Sequence, residues 1–469
     1  MHRNRSLWLL AALMALKLSL MLIDGRPSVF MGDSGSYLYT ALHDYIPHDR
    51  SWAYGYLLRP LAIWPHSMRF LLVVQAAVSA VSAWLIAVIL TTGFAIRFRW
   101  AALSATLCAI EPLQLLSERY IMTDTAALFL FALLTAISVS FLRRRTQGKM
   151  ALAFVIGVAL ISIRMSYLPL VLLNSLLLPL IWFWDRRALA RKFAPLLLVW
   201  LAVGQLLLYG YRCVNASVSK MAHPEYMYMD GFILLSDVAP IVIAEDFPDS
   251  AQATRILRDV RASLTEPVYR EAHLFSRDGL DWAIRRAIPD EYEADKFAKR
   301  VALHAIVFDA GGFVALAART WAEYFDVPLF RGYIRYDEGG LQRADESFRE
   351  EIRKVFDADL GRQSFDGPVW IWHRAVLPWY WLIVIAPLAV PIIIFRKRGS
   401  RDAPTALVLL WLLILFAQTM FLAPHAEPRY LMPIAWLMFL CLPVSLSANS
   451  FPSLSSLRLR SASSALNPE

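Results

Sequence analysis

Acidic and guanidinium side chains border the apolar runs of this chain, and their types and places decide what chemistry it can do. Asp33 stands in Met31-Gly32-Asp33-Ser34-Gly35-Ser36-Tyr37, just after the first run. Glu111, Glu118, Arg119 and Asp124 bracket a turn, Arg164 separates two runs, and Glu427 with Arg429 opens the last. Charge at membrane depth costs about 2.5–3.5 kcal/mol per side chain on insertion scales, so these positions call for a reason. A carboxylate within hydrogen-bond reach removes the proton of a hydroxyl nucleophile as it attacks. An arginine fork meets a phosphate with two parallel hydrogen bonds and stabilises the charge that grows as the phosphate departs. The plainer alternatives are that boundary charges end helices in water and that Thr123-Asp124 caps the helix it precedes.

Two further groups belong beside these. His43-Asp44 and His48-Asp49 could ligate a divalent metal together with Asp33. Their spacing matches neither a structural zinc site nor a helical His-x-x-x-His pair, and solvated loop residues are the simpler reading. No motif demands a cofactor. Tyr37, Tyr39, Tyr45, Trp52, Tyr54, Tyr56 and Trp64 crowd the same stretch. Sugar rings stack on such faces, although an interfacial aromatic belt is the commoner arrangement.

The elements that must position these residues are membrane helices. With 469 residues, 58% hydrophobic and only 18% charged, at a mean hydropathy of +0.47, the chain is no ordinary soluble globule. Apolar runs fall at 7–23, 70–91, 101–116, 122–142, 150–163, 165–184, 194–211, 375–395, 403–422 and 430–447. Most approach the ~20 residues a helix needs to cross a bilayer, which predicts an all-α polytopic membrane protein with about ten transmembrane helices. The runs 101–116 and 150–163 are short, so they either tilt or dip in, shielded by neighbours.

Orientation follows from the basic residues. Arg3 and Arg5, Arg97 and Arg99, Arg143 to Arg145 with Lys149, Arg186, Arg187, Arg191 and Lys192, Arg396 to Arg398 with Arg401, and Arg458 with Arg460 mark every second boundary. The positive-inside rule then places both termini in the cytoplasm and the candidate charges together on the outer side. Cytoplasmic segments hold 18 basic and 3 acidic residues, whereas 212–375 holds 21 basic and 27 acidic. The net charge of +9 is therefore an orientation signal, and a nucleic-acid partner is excluded.

The domains read as an N-terminal transmembrane module over 1–211 with a first outer loop at 24–69, an extracytoplasmic domain over 212–375, transmembrane helices over 376–447 and a cytoplasmic tail at 448–469. The N-terminus looks like a signal peptide, but Lys17 interrupts it and no convincing cleavage site follows, so it is read as a retained first helix. Three cysteines, Cys108, Cys213 and Cys441, provide no disulfide framework within 214–375. That segment is predicted to be mainly helical, with amphipathic helices in 247–258 and 346–356. Residues 301–325, interrupted by Asp309, Gly311 and Gly312, are expected to lie along the membrane surface. Asn215-Ala216-Ser217 fits a glycosylation acceptor, which matters only in a eukaryotic host. The Ala/Leu/Arg-rich composition is compatible with a bacterial inner membrane and a periplasmic large domain.

A retained first helix, an outer loop opening Gly32-Asp33-Ser34-Gly35-Ser36-Tyr37, the turn from Ser117 to Phe131 and the late Arg429-Tyr430-Leu431-Met432-Pro433 together resemble the C superfamily of membrane glycosyltransferases. That group includes protein O-mannosyltransferases and the transferase that adds aminoarabinose to lipid A. The resemblance covers about 1–211 and the last helix, and leaves 212–375 unmatched. It implies inverting transfer of a sugar from a polyprenyl-phosphate donor to a glycan, lipid or protein acceptor, with a first-loop Asp as general base. Asp33 matches that position. Many relatives carry an Asp-Glu pair there, whereas Ser34 follows here.

On this reading Arg429 and then Arg164 neutralise the leaving lipid phosphate. Glu118 and Asp124 shape the site and orient Arg119, an acceptor or a metal, and Tyr37 and Tyr430 contribute to substrate binding. The 212–375 domain lies over the cleft and restricts which acceptor enters. An O-antigen polymerase or ligase, which works with arginines and needs no Asp33, is the alternative enzyme. A secondary transporter is the third reading, but no inverted repeat is evident.

Overall fold

The computed structural model describes residues 2–184, 190–260, 270–338, 345–358, 360, 366–398 and 402–446. The tail 448–469 and the basic residues Arg186, Arg187, Arg401, Arg458 and Arg460 lie outside the described residues. Among those described the chain is all helical, with one isolated bridge between Ser28 and Tyr120 and no strand.

The first half runs α1 (His2–Ile23), α2 (Met31–His43), α3 (Trp52–Ile63), α4 (Met68–Val88), α5 (Phe98–Ala109), α6 (Pro112–Ser117), α7 (Asp124–Arg144), α8 (Gln147–Ile163), α9 (Leu168–Trp184) and α10 (Ala190–Val218). The 212–375 segment supplies α11 (Asp230–Val238), α12 (Ser250–Arg258), α13 (Ala272–Phe275), α14 (Leu280–Ala287), α15 (Glu291–Phe308), α16 (Ala310–Glu323), α17 (Val327–Glu338) and α18 (Glu346–Phe356). The chain closes with α19 (Pro368–Val376), α20 (Trp381–Arg398), α21 (Ala403–Phe421) and α22 (Pro428–Leu446).

Seven helices among the described residues are long and apolar enough to cross a membrane, or up to nine if each of two bent pairs is one span. This is a membrane protein, but the expected ten spans are not all continuous helices. The run 101–116 breaks because Pro112 starts a new helix and Glu111 caps it, accepting from the Leu113 and Gln114 amides at 3.0 Å each. The run 150–163 becomes the 17-residue α8, and 375–395 joins a helical pair bent by 52° between Trp379 and Trp381. The other bent pair is α15 with α16, which turn by 97° at Asp309, the residue where the sequence predicts an interruption.

Packing follows the rules of a bilayer, where small residues let helix backbones approach. Ala76, Ala80, Ala83 and Ala87 form one buried stripe on α4, which packs against α1 and α7. Phe131 of α7 meets the rings of Trp411 and Trp436 at 5.7 Å each, tying α7 to α21 and α22. Each aromatic pair contributes about 0.5–1.5 kcal/mol beyond its buried area.

Three smaller cores stand apart, the smallest being Leu115, Leu116, Val369 and Trp370. Val29, Leu38, Leu58, Ile121 and Phe356 join the 24–63 stretch to the turn before α7 and to α18. Phe232, Ile256, Ile284 and Val301 form the core of α11, α12, α14 and α15. The amphipathic stretches predicted at 247–258 and 346–356 fold as α12 and α18, each giving its apolar positions to one of these cores. Asn215 is buried, and its Nδ2 donates to the Glu225 and Tyr226 carbonyls at 2.9 and 3.2 Å, so the amide a glycosylation would need is engaged.

Candidate functional site

Local structure brings the boundary charges together. The bridge pairs Ser28 with the turn before α7: the Ser28 amide donates to Arg119 at 2.7 Å and the Ile121 amide to Ser28 at 3.0 Å. That stitch sets the first turn of α2, which carries Asp33, beside the N-terminus of α7, which carries Asp124. Ser34 Oγ accepts from the Phe30 amide at 2.9 Å, and a carboxylate in a first turn suits the helix dipole. Gly55 lets α3 lie against α2, because a Cβ there would sit 2.5 Å from Thr40.

The third contributor is the turn before α22. Glu323 of α16 accepts from the Ala426 amide at 3.1 Å, and the Tyr324 hydroxyl accepts from the Glu427 amide at 3.1 Å. The 212–375 segment therefore fixes where Glu427 and Arg429 sit.

Arg429 Nη1 donates to Asp33 Oδ2 at 2.5 Å and its Nε to Glu427 Oε2 at 2.7 Å. Arg50 Nη1 pairs with Asp33 Oδ1, and its Nε lies 3.2 Å from Asp49. Arg164 Nη1 donates to Asp124. The Tyr430 ring lies beneath both cations, 5.3 Å from the Arg429 guanidinium carbon and 5.9 Å from that of Arg164. Arg429 also stacks over Phe30 at 4.5 Å. Tyr37 is buried against Thr123, and burial pushes its phenol up to about 12, so it remains a protonated donor.

Asp33, Asp124, Arg164, Arg429, Tyr37 and Tyr430 therefore converge. A mainly apolar cavity opens beside them, walled by Phe30, Leu113, Leu116, Met122, Ile334 and Pro428, with Asp124, Arg429 and His373 among its polar lining.

Glu118 and Arg119 do not line that cavity. Glu118 pairs with Lys17 of α1, and both side chains are sealed, at 2% and 0% exposure. Arg119 donates to the carbonyls of Leu115, Asp24 and Leu20 at 2.6, 3.0 and 3.1 Å, which uses its fork to clamp backbone.

The histidines proposed as metal ligands point elsewhere: His43 Nε2 is 2.9 Å from Glu351 and His48 Nδ1 is 3.4 Å from Glu291. No group of three His, Cys, Asp or Glu able to hold a metal occurs among the described residues.

No family model, curated protein or solved structure matches the chain.

Sequence reasoning missed three contributors. Arg50 sits in a polar loop, where a charge costs nothing and so raises no flag. Phe30 is one apolar residue among many. Glu271 lies 3.6 Å from His425, and burial with the neighbouring Glu427 charge raises it to about 7 against the opposing pull of Arg429 and Arg50. Its only signal was membership of the acidic 212–375 segment.

Proposed function

We propose that this protein is an integral membrane glycosyltransferase that moves a sugar from a polyprenyl-phosphate donor to an acceptor on the outer face of the membrane. One observation carries the reading: three arginines from distant segments hold carboxylates beside an apolar cavity, Arg50 and Arg429 on Asp33 and Arg164 on Asp124, and Arg429 and Asp124 line that cavity. Guanidinium groups beside hydrocarbon walls suit an anionic lipid headgroup.

Each arginine already holds a carboxylate, so the site is charge-compensated before substrate arrives. A phosphate then binds by exchange, taking the Arg429 and Arg164 forks from their carboxylates. The exchange frees an oxygen of Asp33 for the acceptor hydroxyl. The acceptor oxygen attacks the anomeric carbon with inversion, its proton passes to Asp33, and the bond from that carbon to phosphate oxygen breaks with the electron pair leaving on phosphate. Tyr430 and Tyr37 hold the forks and the sugar in place. The 212–375 segment, which positions Glu427 and Arg429, covers the cleft in a periplasmic setting.

The test is to incubate purified protein with a panel of radiolabelled polyprenyl-phosphate sugars and follow loss of label from the lipid. Turnover of at least one donor is expected, and Arg429→Ala should chiefly impair donor use. No loss of label from any donor, with a range of acceptors supplied, overturns the reading.

One observation favours the polymerase or ligase alternative: both Asp33 oxygens are already taken by arginines, Oδ1 by Arg50 and Oδ2 by Arg429, which leaves neither free to receive a proton. Full activity in Asp33→Asn would select it.

A further inference from the structure

His373 of α19 is 1% exposed and lines the cavity beside Arg429. Its Nδ1 lies 2.7 Å from the Tyr380 hydroxyl, while its Nε2 is buried with no hydrogen-bond partner among the described residues. A phenol is the stronger donor of that pair, so its proton goes to Nδ1 and the neutral ring carries its own hydrogen on Nε2. A buried N–H without an acceptor is costly, and native proteins rarely leave one unless something comes to meet it.

Most other polar groups of the cavity are already engaged. Arg429 is in ion pairs, Asp124 is paired through Oδ1 while its Oδ2 is buried with no hydrogen-bond partner among the described residues, and Ser117 Oγ donates to the Leu113 carbonyl at 2.8 Å. The unmet donor belongs to a ring that lines a space with mainly hydrocarbon walls, and Arg429 lines the same space. A ligand that satisfies all three is an amphiphile with an anionic oxygen near its apolar chain.

We propose that His373 is a neutral hydrogen-bond donor to the phosphate of the lipid donor, with the first carbons of the lipid chain seated against the apolar wall of the same cavity. This rests on the transferase reading above and adds a positioning residue to it. A neutral donor suits the place, because it adds a contact without adding charge to a site where each arginine is already matched by carboxylate.

The test is equilibrium binding of farnesyl phosphate, with farnesol as its uncharged control, to the purified full-length protein in detergent. The wild type should bind the phosphate more tightly than the alcohol. His373→Leu should weaken the phosphate about tenfold or more, as expected for losing a hydrogen bond to a charged group, and leave farnesol within about twofold. His373→Gln, which restores an N–H near the Nε2 position, should recover most of the phosphate affinity. Equal loss for both ligands in His373→Leu would reduce the ring to cavity shape and overturn the proposal. Unchanged phosphate binding in that variant would also overturn it, while the transferase reading stands. A wild type that does not prefer the phosphate to the alcohol would instead sink the lipid-phosphate reading. Should His373→Leu fail to fold, His373→Gln with a chemical-shift probe of the imidazole in the wild type decides: the Nε2 resonance must move on adding farnesyl phosphate and stay put with farnesol.

Discussion

Two clusters of charge at the borders of the apolar runs are built on opposite principles. Lys17, Glu118 and Arg119 form a closed set. The Lys17 and Glu118 side chains exclude solvent, and Arg119 spends its fork on three backbone carbonyls that cannot move without unravelling the turn. Asp33, Arg50 and Arg429 form an open set, 14–21% exposed, whose members are held by other side chains. A carboxylate on a rotatable stem can yield its place to a phosphate, whereas a backbone carbonyl cannot. Burial and charge alone do not distinguish a site from a strut; the exchangeability of the partners does.

The strongest way to break this comparison is to substitute one carboxylate from each set. Asp33→Asn should lower turnover by about 10²–10⁴-fold, the range general-base catalysis supplies, with insertion and donor binding retained. Transfer at the normal rate in that variant removes Asp33 from the chemistry. Glu118→Gln, by contrast, should depress the amount of folded protein more than turnover per folded molecule. Label release normalised to monodisperse protein separates the two effects.

Lys17→Met comes next in size. Removing Lys17 leaves Glu118 with only the Arg119 guanidinium, 3.5 Å away, to offset its buried charge, which costs up to about 3–5 kcal/mol. The double variant Lys17→Met with Glu118→Leu should recover most of that loss, since replacing both members by apolar residues is close to neutral. Thermal unfolding in detergent measures both. A double variant as unstable as the single one would mean that Lys17 does more than offset Glu118.

The same contrast explains what was legible in the sequence. Asp33, Asp124, Arg164 and Arg429 were found because each interrupts or borders an apolar run, where charge is expensive and therefore informative. Lys17 was equally conspicuous, but its partner lies 101 residues away, and only folding reveals such a pairing. Glu118 and Arg119 share the neighbourhood of Asp124 in sequence, so they were assigned a shared role. Folding turns them toward α1 instead, onto Lys17, Leu20 and Asp24. Arg50 lay in a loop already rich in polar residues and carried no signal. The helical class and most long runs were readable from hydropathy. The break at Glu111-Pro112 carried a signal too, since a capping residue before proline starts a helix, but the apolar run around it hid the pause.

The smallest effect sharpens the open set through pH. Glu271, pushed up to about 7 by burial and the Glu427 charge, faces Arg429 and Arg50, the first of which a lipid phosphate would take. Below pH 7 it is mostly neutral and leaves their charge to the ligand. Above pH 7 it ionises and sets a second negative charge beside the phosphate, so affinity falls as pH rises. In linkage language, the bound anion raises the Glu271 pKa further, binding takes up a proton above pH 7, and proton uptake weakens binding with rising pH. Because farnesyl phosphate itself gains charge over this range, the comparison is with Glu271→Gln. Between pH 6 and 8 the wild type should lose about three- to tenfold in affinity relative to the variant, equivalent to a shift of up to about one pKa unit, with the two alike at low pH. Farnesyl phosphate titrations at pH 6, 7 and 8 measure it, and an identical slope in the variant would place Glu271 outside the field of the headgroup. The closed set offers no such coupling to a ligand, because Lys17, Glu118 and Arg119 are sealed against one another and against backbone carbonyls.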